Sequence, residues 1–186
     1  MKKLFLVLVP LLFCGVSFSQ TPEEMKAWQE NMTPSKYHKW LASMNGEWDA
    51  VVKMWMAPSQ PPNISKATTI NEMIMNGLYL RSTHTGKMME QPFMGESIMG
   101  YDNAKKEFIS TWIDNFGSSI MLLKGYLKED NTLILEGNML DPASEQEMHV
   151  KEVLTILSED SHKFDMYMIV DEQEIKTMEI QYTRKK

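Results

Sequence analysis

The chain has 186 residues, 19 of them basic and 25 acidic, which gives a formal net charge of −6. This length suits one domain with a full hydrophobic core, and the acidic balance argues against nucleic acids and anionic membrane surfaces as partners. Cys14 is the only cysteine and lies in the N-terminal apolar segment. The rest of the chain therefore holds no disulfide, cysteine nucleophile or thiolate metal site.

Residues 1–19 have the three parts of a secretory signal peptide. Lys2 and Lys3 precede an apolar run over residues 4–13, and small residues follow up to Ser19. Cleavage after Ser19 would make Gln20 the first residue of the mature protein. The sequence therefore predicts an exported protein, either periplasmic or extracellular, whose working chain begins at residue 20.

Two other readings of this segment compete with removal. A membrane anchor would need roughly 20 apolar residues, and the run from Leu4 to Val16 is shorter than that. A lipoprotein would carry its lipid on Cys14, but Phe13 stands where lipoprotein processing requires a small residue. We therefore expect no integral membrane segment in the mature chain.

Residues 20–45 form a predicted helical lead-in. Thr21 and Glu24 have the spacing of a capping box, and Thr33 followed by Pro34 predicts the start of a second helix. Four residues at helical spacing give that second helix one apolar face: Tyr37, Trp40, Leu41 and Met44. The lead-in should lay this face on whatever follows.

From residue 46 to residue 186 the apolar period changes from 3.6 to 2, which predicts strands and turns only. We count about ten strands with short connections, the pattern of an antiparallel meander. The predicted fold is mainly β: a closed antiparallel up-and-down β-barrel of about ten strands, lipocalin-like or calycin-like, preceded by one or two short N-terminal helices. Barrels of this size tend to enclose a cavity.

A series of short motifs in this region resembles the bacterial family known as domain of unknown function 1579. The matching pieces, in order, are His38-Lys39-Trp40-Leu41, Gly46-Glu47-Trp48, Trp55-Met56 with Pro58 and Pro61-Pro62, Gly100-Tyr101-Asp102-Asn103, Trp112-Ile113-Asp114, Asp141-Pro142 and Tyr182-Thr183-Arg184-Lys185. The resemblance implies a calycin-like barrel in exported bacterial proteins and no particular activity. Ala57 departs from it, because the family commonly has an aspartate there.

Gly46-Glu47-Trp48 together with Arg184 is also similar to the pattern of lipocalins, in which Gly-x-Trp opens the first strand and an arginine ends the last. The first and last strands of a closed barrel are neighbours. We therefore predict that the Arg184 guanidinium stacks on the Trp48 indole and closes one end of the barrel.

Methionine is the compositional oddity, with 18 residues in the chain. Three explanations compete: ordinary core, the lining of an adaptable ligand cavity, and thioether ligands for Cu(I). The methionine pairs that could act as copper ligands are Met54 with Met56, Met73 with Met75, Met88 with Met89, and Met166 with Met168. Core packing is favoured, because most of these residues replace aliphatic positions of amphipathic strands, and we predict no metal site.

Three polar residues share the alternating parity of apolar neighbours and are expected to point inward: His84, Asp114 and Glu152. Inward carboxylates are unfavourable unless they are paired or functional, which makes these residues the best polar candidates for a pocket. The alternative is that they lie near a rim and reach water. The other histidines, His38, His149 and His162, are expected to be solvated.

The leading hypothesis is a binding protein that holds a small apolar or amphipathic molecule inside the barrel, with the loop from Pro58 to Pro62 over the open end. The predicted ligand-binding residues are Val52, Met54, Met56, His84, Trp112, Asp114, Glu152, Met166, Met168 and Met178. One alternative is an enzyme that uses His84 with Asp114 or Glu152 as acid and base. Haem binding through an inward histidine, and a partner role for the lead-in, are further alternatives. The leading hypothesis needs no cofactor.

Overall fold

The structure is a computed structural model that describes residues 21–129, 131–142 and 144–186. Its elements are α1 (Pro22–Met32), α2 (Lys36–Ala42), β1 (Gly46–Met54), β2 (Asn63–Ile74), a 3₁₀ turn (Met75–Gly77), β3 (Tyr79–Met88), β4 (Gln91–Asp102), β5 (Glu107–Asp114), β6 (Met121–Leu127), β7 (Thr132–Leu140), β8 (Glu147–Ser158), β9 (Ser161–Val170) and β10 (Gln173–Arg184). The predicted signal segment, residues 1–19, lies outside the described residues.

The ten strands form one closed antiparallel barrel in which each strand pairs with the next in sequence. β10 pairs with β1 and completes the ring, with Trp48 opposite Arg184 and Met54 opposite Met178. This confirms the predicted fold class. Closure satisfies the backbone hydrogen bonds of both edge strands, which an open sheet of the same strands would leave unpaired.

The helical lead-in closes one end of the barrel through α2. Leu41 is fully buried and belongs to the same core cluster as Phe108 and Leu80, and the Tyr37 ring packs 4.1 Å from that of Tyr101. The apolar face predicted for this helix is therefore the face that contacts the barrel. α2 starts later than the sequence indicated, because Ser35 and not Thr33 is its N-cap.

α1 is exposed along its whole length. It has the predicted capping box between Thr21 and Glu24 but no buried residue. Its C-terminal end is tied down by Asn103, whose side-chain amide donates to the Thr33 carbonyl at 2.9 Å. Within the described part of the chain, no helix is long and apolar enough to cross a membrane.

The two ends of the barrel differ in solvent access. We call the end covered by α2 the closed end and the opposite end the open end. The connections at the open end are residues 55–62, 89–90, 115–120, 141–146 and 171–172. Most inward side chains near the closed end are buried, as Trp48 and Leu133 show, whereas most of those near the open end, such as Met54 and Met148, are half-buried.

Candidate functional site

Four side chains form a continuous row of contacts at the closed end: Arg184, Trp48, His162 and Tyr182. The Arg184 guanidinium lies 4.1 Å from the centroid of the Trp48 indole. The row continues through His162, whose ring meets the Trp48 indole edge-on at 4.2 Å and stacks on the Tyr182 ring at 4.3 Å. We call this row of four side chains the floor of the barrel.

His162 is buried, whereas the sequence predicted a solvated histidine at a turn. It is 4% exposed and lies inside the barrel, opposite Tyr182. Removal from water, with the charge of Arg184 as a smaller effect, lowers the pKa of His162 to about 4. The alternation of the strand would have placed His162 inward, because it continues the inward series of Phe164 and Met166. The turn just before it suggested an exposed position instead.

His38 was likewise expected to be solvated and is 2% exposed in α2. Its Nδ1 accepts a hydrogen bond from the Ser35 backbone N–H at 2.9 Å, so that the imidazole completes the N-terminal cap of that helix. Burial lowers the pKa of His38. Its role is therefore structural, and only His149 of the three stays exposed, on the outer face of β8.

A chain of hydrogen bonds runs along the inner surface of the barrel above the floor. The Tyr182 hydroxyl is hydrogen-bonded to Thr69, and Thr69 Oγ1 lies 2.9 Å from Nδ1 of His84. Burial raises the pKa of Tyr182 and lowers that of His84 to about 4, so both side chains are neutral near pH 7. The inward position predicted for His84 is the one observed.

The first of the two candidate carboxylates, Asp114, is already engaged at the open end of β5. Its Oδ2 accepts from Trp112 Nε1 at 2.8 Å, and its Oδ1 accepts from the Phe116 backbone N–H at 2.8 Å. These bonds fix the indole ring at the mouth, where it lies 5.2 Å from the His84 imidazole.

The second carboxylate, Glu152, points inward at mid-height on β8. It is paired across the sheet with Met166 on one side and Leu135 on the other. Among the described residues it has neither a hydrogen-bond donor nor a cationic partner, and its charge contributes to the raised pKa of Tyr182. The apolar surroundings raise the pKa of Glu152 to about 8.

An acid–base arrangement would require His84 to reach one of these carboxylates. The imidazole is bonded to Thr69, Asp114 is bonded to Trp112, and no hydrogen bond within the described residues joins His84 to Asp114 or Glu152. The described His, Asp and Glu side chains also form no group of three suited to a metal ion. The polar side chains His84, Asp114 and Glu152 are therefore not joined to one another in the interior.

Methionines line the open half of the interior. Eight lie at inward strand positions there and all are half-buried: Met54, Met88, Met121, Met139, Met148, Met166, Met168 and Met178. Met54, Met178 and Met166 are direct cross-strand partners on three adjacent strands. Because thioether side chains are flexible and polarisable, this wall can adapt its shape to an apolar guest.

The predicted ligand-binding residues lie at inward strand positions with one exception. Val52, Met168 and the others alternate inward as expected, but β1 ends at Met54. Met56 therefore belongs to the connection 55–62 at the open end, where it is 61% exposed. The pair of Met54 and Met56 is split for this reason, and Met73 and Met75 are split likewise, since Met75 is 69% exposed in the 3₁₀ turn.

Comparison with known proteins gives one family and several solved structures of similar fold. A family model described as protein of unknown function (DUF1579) matches residues 33–184. No curated protein matches. Among solved structures, the S-type phycobiliprotein lyase CPES from Guillardia theta is 10% identical with a TM-score of 0.58, over 85% of this chain and 97% of that one. Rv2717c from M. tuberculosis is 12% identical with a TM-score of 0.59, over 83% and 100%. At these identities the likeness is one of fold.

Proposed function

We propose that this chain, which belongs to the DUF1579 family of proteins of unknown function, binds a small apolar or amphipathic molecule in the open half of its barrel. The observation that carries the proposal is the difference between the two ends: most inward side chains at the closed end are buried, and most of those at the opposite end are half-buried. Half-exposed apolar walls inside a barrel are a place for a guest, because covering them removes apolar surface from water.

The composition of that wall supports an apolar body in the guest. The methionines lie on strands held by a continuous ring of hydrogen bonds, so that adaptable side chains stand on a rigid frame. The connection 55–62, which includes Pro58 and Pro62, lies at the same end. In this proposal it covers the bound molecule. Trp112, fixed by Asp114, adds an aromatic surface beside it.

Export is part of the same proposal and rests on residues 1–19. Their basic start, apolar run and small residues near Ser19 are those of a secretory signal. A carrier outside the cytoplasm would meet its ligand in the periplasm or the medium. The partner would then be a small molecule rather than a nucleic acid, as the acidic composition also favours.

Binding can be tested with a neutral apolar fluorophore, N-phenyl-1-naphthylamine. Met178→Gln puts an amide into the inward wall and should weaken binding about tenfold, because the amide must be desolvated without a partner. Met94→Gln makes the same change on the outer face of β4, where Met94 is 59% exposed, and should leave binding unchanged. Equal thermal stability of the two variants would exclude unfolding as the cause. Absence of binding to the parent protein would overturn the proposal.

A further inference from the structure

The interior of the barrel contains carboxyl groups and few cations, because the inward His84 and His162 are neutral near pH 7. At inward positions of the described strands no lysine occurs, and Arg184 is the one arginine. Its guanidinium is held at the closed end by Trp48 and donates to the carbonyls of Asn45 at 2.6 Å and Ser43 at 2.9 Å. Glu152 therefore has no cation to pair with inside the described barrel.

Glu152 stands at the base of the methionine wall. Met54, Met178, Met166 and Glu152 are consecutive cross-strand partners on β1, β10, β9 and β8. Directly paired side chains have Cβ atoms about 5 Å apart, so the carboxyl group lies at the end of a row of thioethers. A guest on this wall would bring its polar end to Glu152 and leave its apolar body among the methionines.

The mouth above this wall is also acidic. The five connections at the open end contain no lysine and no arginine, and they contain the acidic residues Glu90, Asp141, Glu145, Asp171 and Glu172. Charges of one sign around a low-dielectric opening raise the local concentration of ions of the opposite sign. The entrance therefore favours cations and disfavours carboxylate-bearing molecules such as fatty acids or haem.

From these three observations we infer that the ligand is an organic cation with an apolar body, such as a protonated alkylamine, and that Glu152 is its counter-ion. The inference rests on the proposed function and specifies the chemistry of the same site. The thioethers cover the apolar body, and the carboxylate accepts a charge-assisted hydrogen bond from the ammonium group.

The protonation of Glu152 fits this role. Its pKa of about 8 leaves most of the carboxyl groups protonated at pH 7 when the site is empty. An ammonium group within hydrogen-bond distance favours the ionised form, so that binding at pH 7 should release up to about one proton to the buffer. A neutral guest would release none.

The inference can be tested with three eight-carbon probes that differ only in their head groups: octylammonium, 1-octanol and octanoate. Calorimetric titration of the parent protein at pH 7 should rank octylammonium first, about ten- to hundredfold tighter than 1-octanol, with octanoate weakest. Titration in buffers of different ionisation enthalpy should show the released proton for octylammonium alone.

Glu152→Gln should remove the octylammonium preference and the proton release while keeping the affinity for 1-octanol. Glu136→Gln is the matched control, because Glu136 lies on the outer face of the neighbouring strand β7. It should behave like the parent protein. If 1-octanol binds but octylammonium has no advantage, or if Glu152→Gln weakens both probes equally, the inference is wrong and the proposed function stands. If neither probe binds the parent protein, the proposed function itself fails.

Discussion

Arg184 and Trp48 are partners across the seam that closes the barrel, with the guanidinium carbon 4.1 Å from the indole centroid. The contact is reinforced on both sides. Trp48 Nε1 donates to the Met44 carbonyl at 2.8 Å, and Arg184 Nε donates to the Glu159 carbonyl at 2.9 Å. One residue at the end of the last strand thus holds together the first strand, the segment after α2 and the turn between β8 and β9.

Arg184→Ala should lower the free energy of unfolding by about 2 kcal/mol or more. The substitution removes a cation–π contact of about 0.5–2 kcal/mol and leaves three backbone carbonyls without their charged donor. Urea denaturation followed by tryptophan fluorescence measures the change. Lys186→Ala is the control, and Arg184→Lys should recover only part of the loss because an ammonium cannot reproduce the planar fork. Equal stability of all three variants would refute the closing role of Arg184.

Gly46 leaves the space that this arginine uses. Its φ is +118°, and a Cβ atom added there would lie 2.9 Å from Nη1 of Arg184. Gly46→Ala should therefore destabilise the protein by about 1–3 kcal/mol, through backbone strain and displacement of the guanidinium. Gly117→Ala, where the nearest atom would be 3.9 Å away and φ is not positive, should have a small effect when both variants are compared by urea denaturation. A reversed order of the two variants would contradict this account.

Stability should depend on pH in two opposite ways. His84 and His162 have pKa values lowered from 6.5 to about 4, so the stability they contribute is present above pH 6.5 and is lost as the pH falls through 4. Glu152 has its pKa raised from 4.5 to about 8, so its contribution is present below pH 4.5 and is lost as the pH rises through 8. Of these three groups, only Glu152 titrates between pH 6.5 and 8.

Glu152→Gln should therefore abolish most of the stability loss between pH 6.5 and 8.5 that the parent protein shows on urea denaturation. Tyr182 faces Glu152 from β10, and its raised pKa keeps it neutral across this range. Glu136→Gln, on the outer face, should retain the parent's pH dependence. The interpretation of Glu152 as a desolvated carboxyl is wrong if the parent and Glu152→Gln lose stability in parallel over this interval.

Expression in a bacterial host with a functional secretory pathway should yield a chain that begins at Gln20. Intact mass spectrometry would show the loss of residues 1–19, with a further loss of ammonia if the N-terminal glutamine cyclises. Replacing Lys2 and Lys3 with glutamate should reduce processing, since the positive charge at the start of a signal is needed for its orientation. A product that begins at Cys14 and carries lipid would replace export with membrane anchoring.

The sequence alone determined the fold class, because alternation is a local property. The alternation of Met178, Ile180 and Tyr182 with polar neighbours shows that these three residues share one face of the sheet. About ten such strands with few helices can cover their edges only by closing into a barrel. The same parity predicted the partnership of Trp48 with Arg184 and the inward direction of Glu152.

The tertiary structure decided which inward residues meet and which stay alone. Thr69 contacts His84, and Asp114 accepts a hydrogen bond from Trp112. Glu152 lies beside Met166 without a cation. None of these contacts follows from spacing along the chain. The end of β1 at Met54 and the burial of His162 were likewise set by contacts between distant segments. The physical reason is that alternation fixes a side chain's face, whereas its depth and its neighbours depend on the stagger of all ten strands around the closed ring.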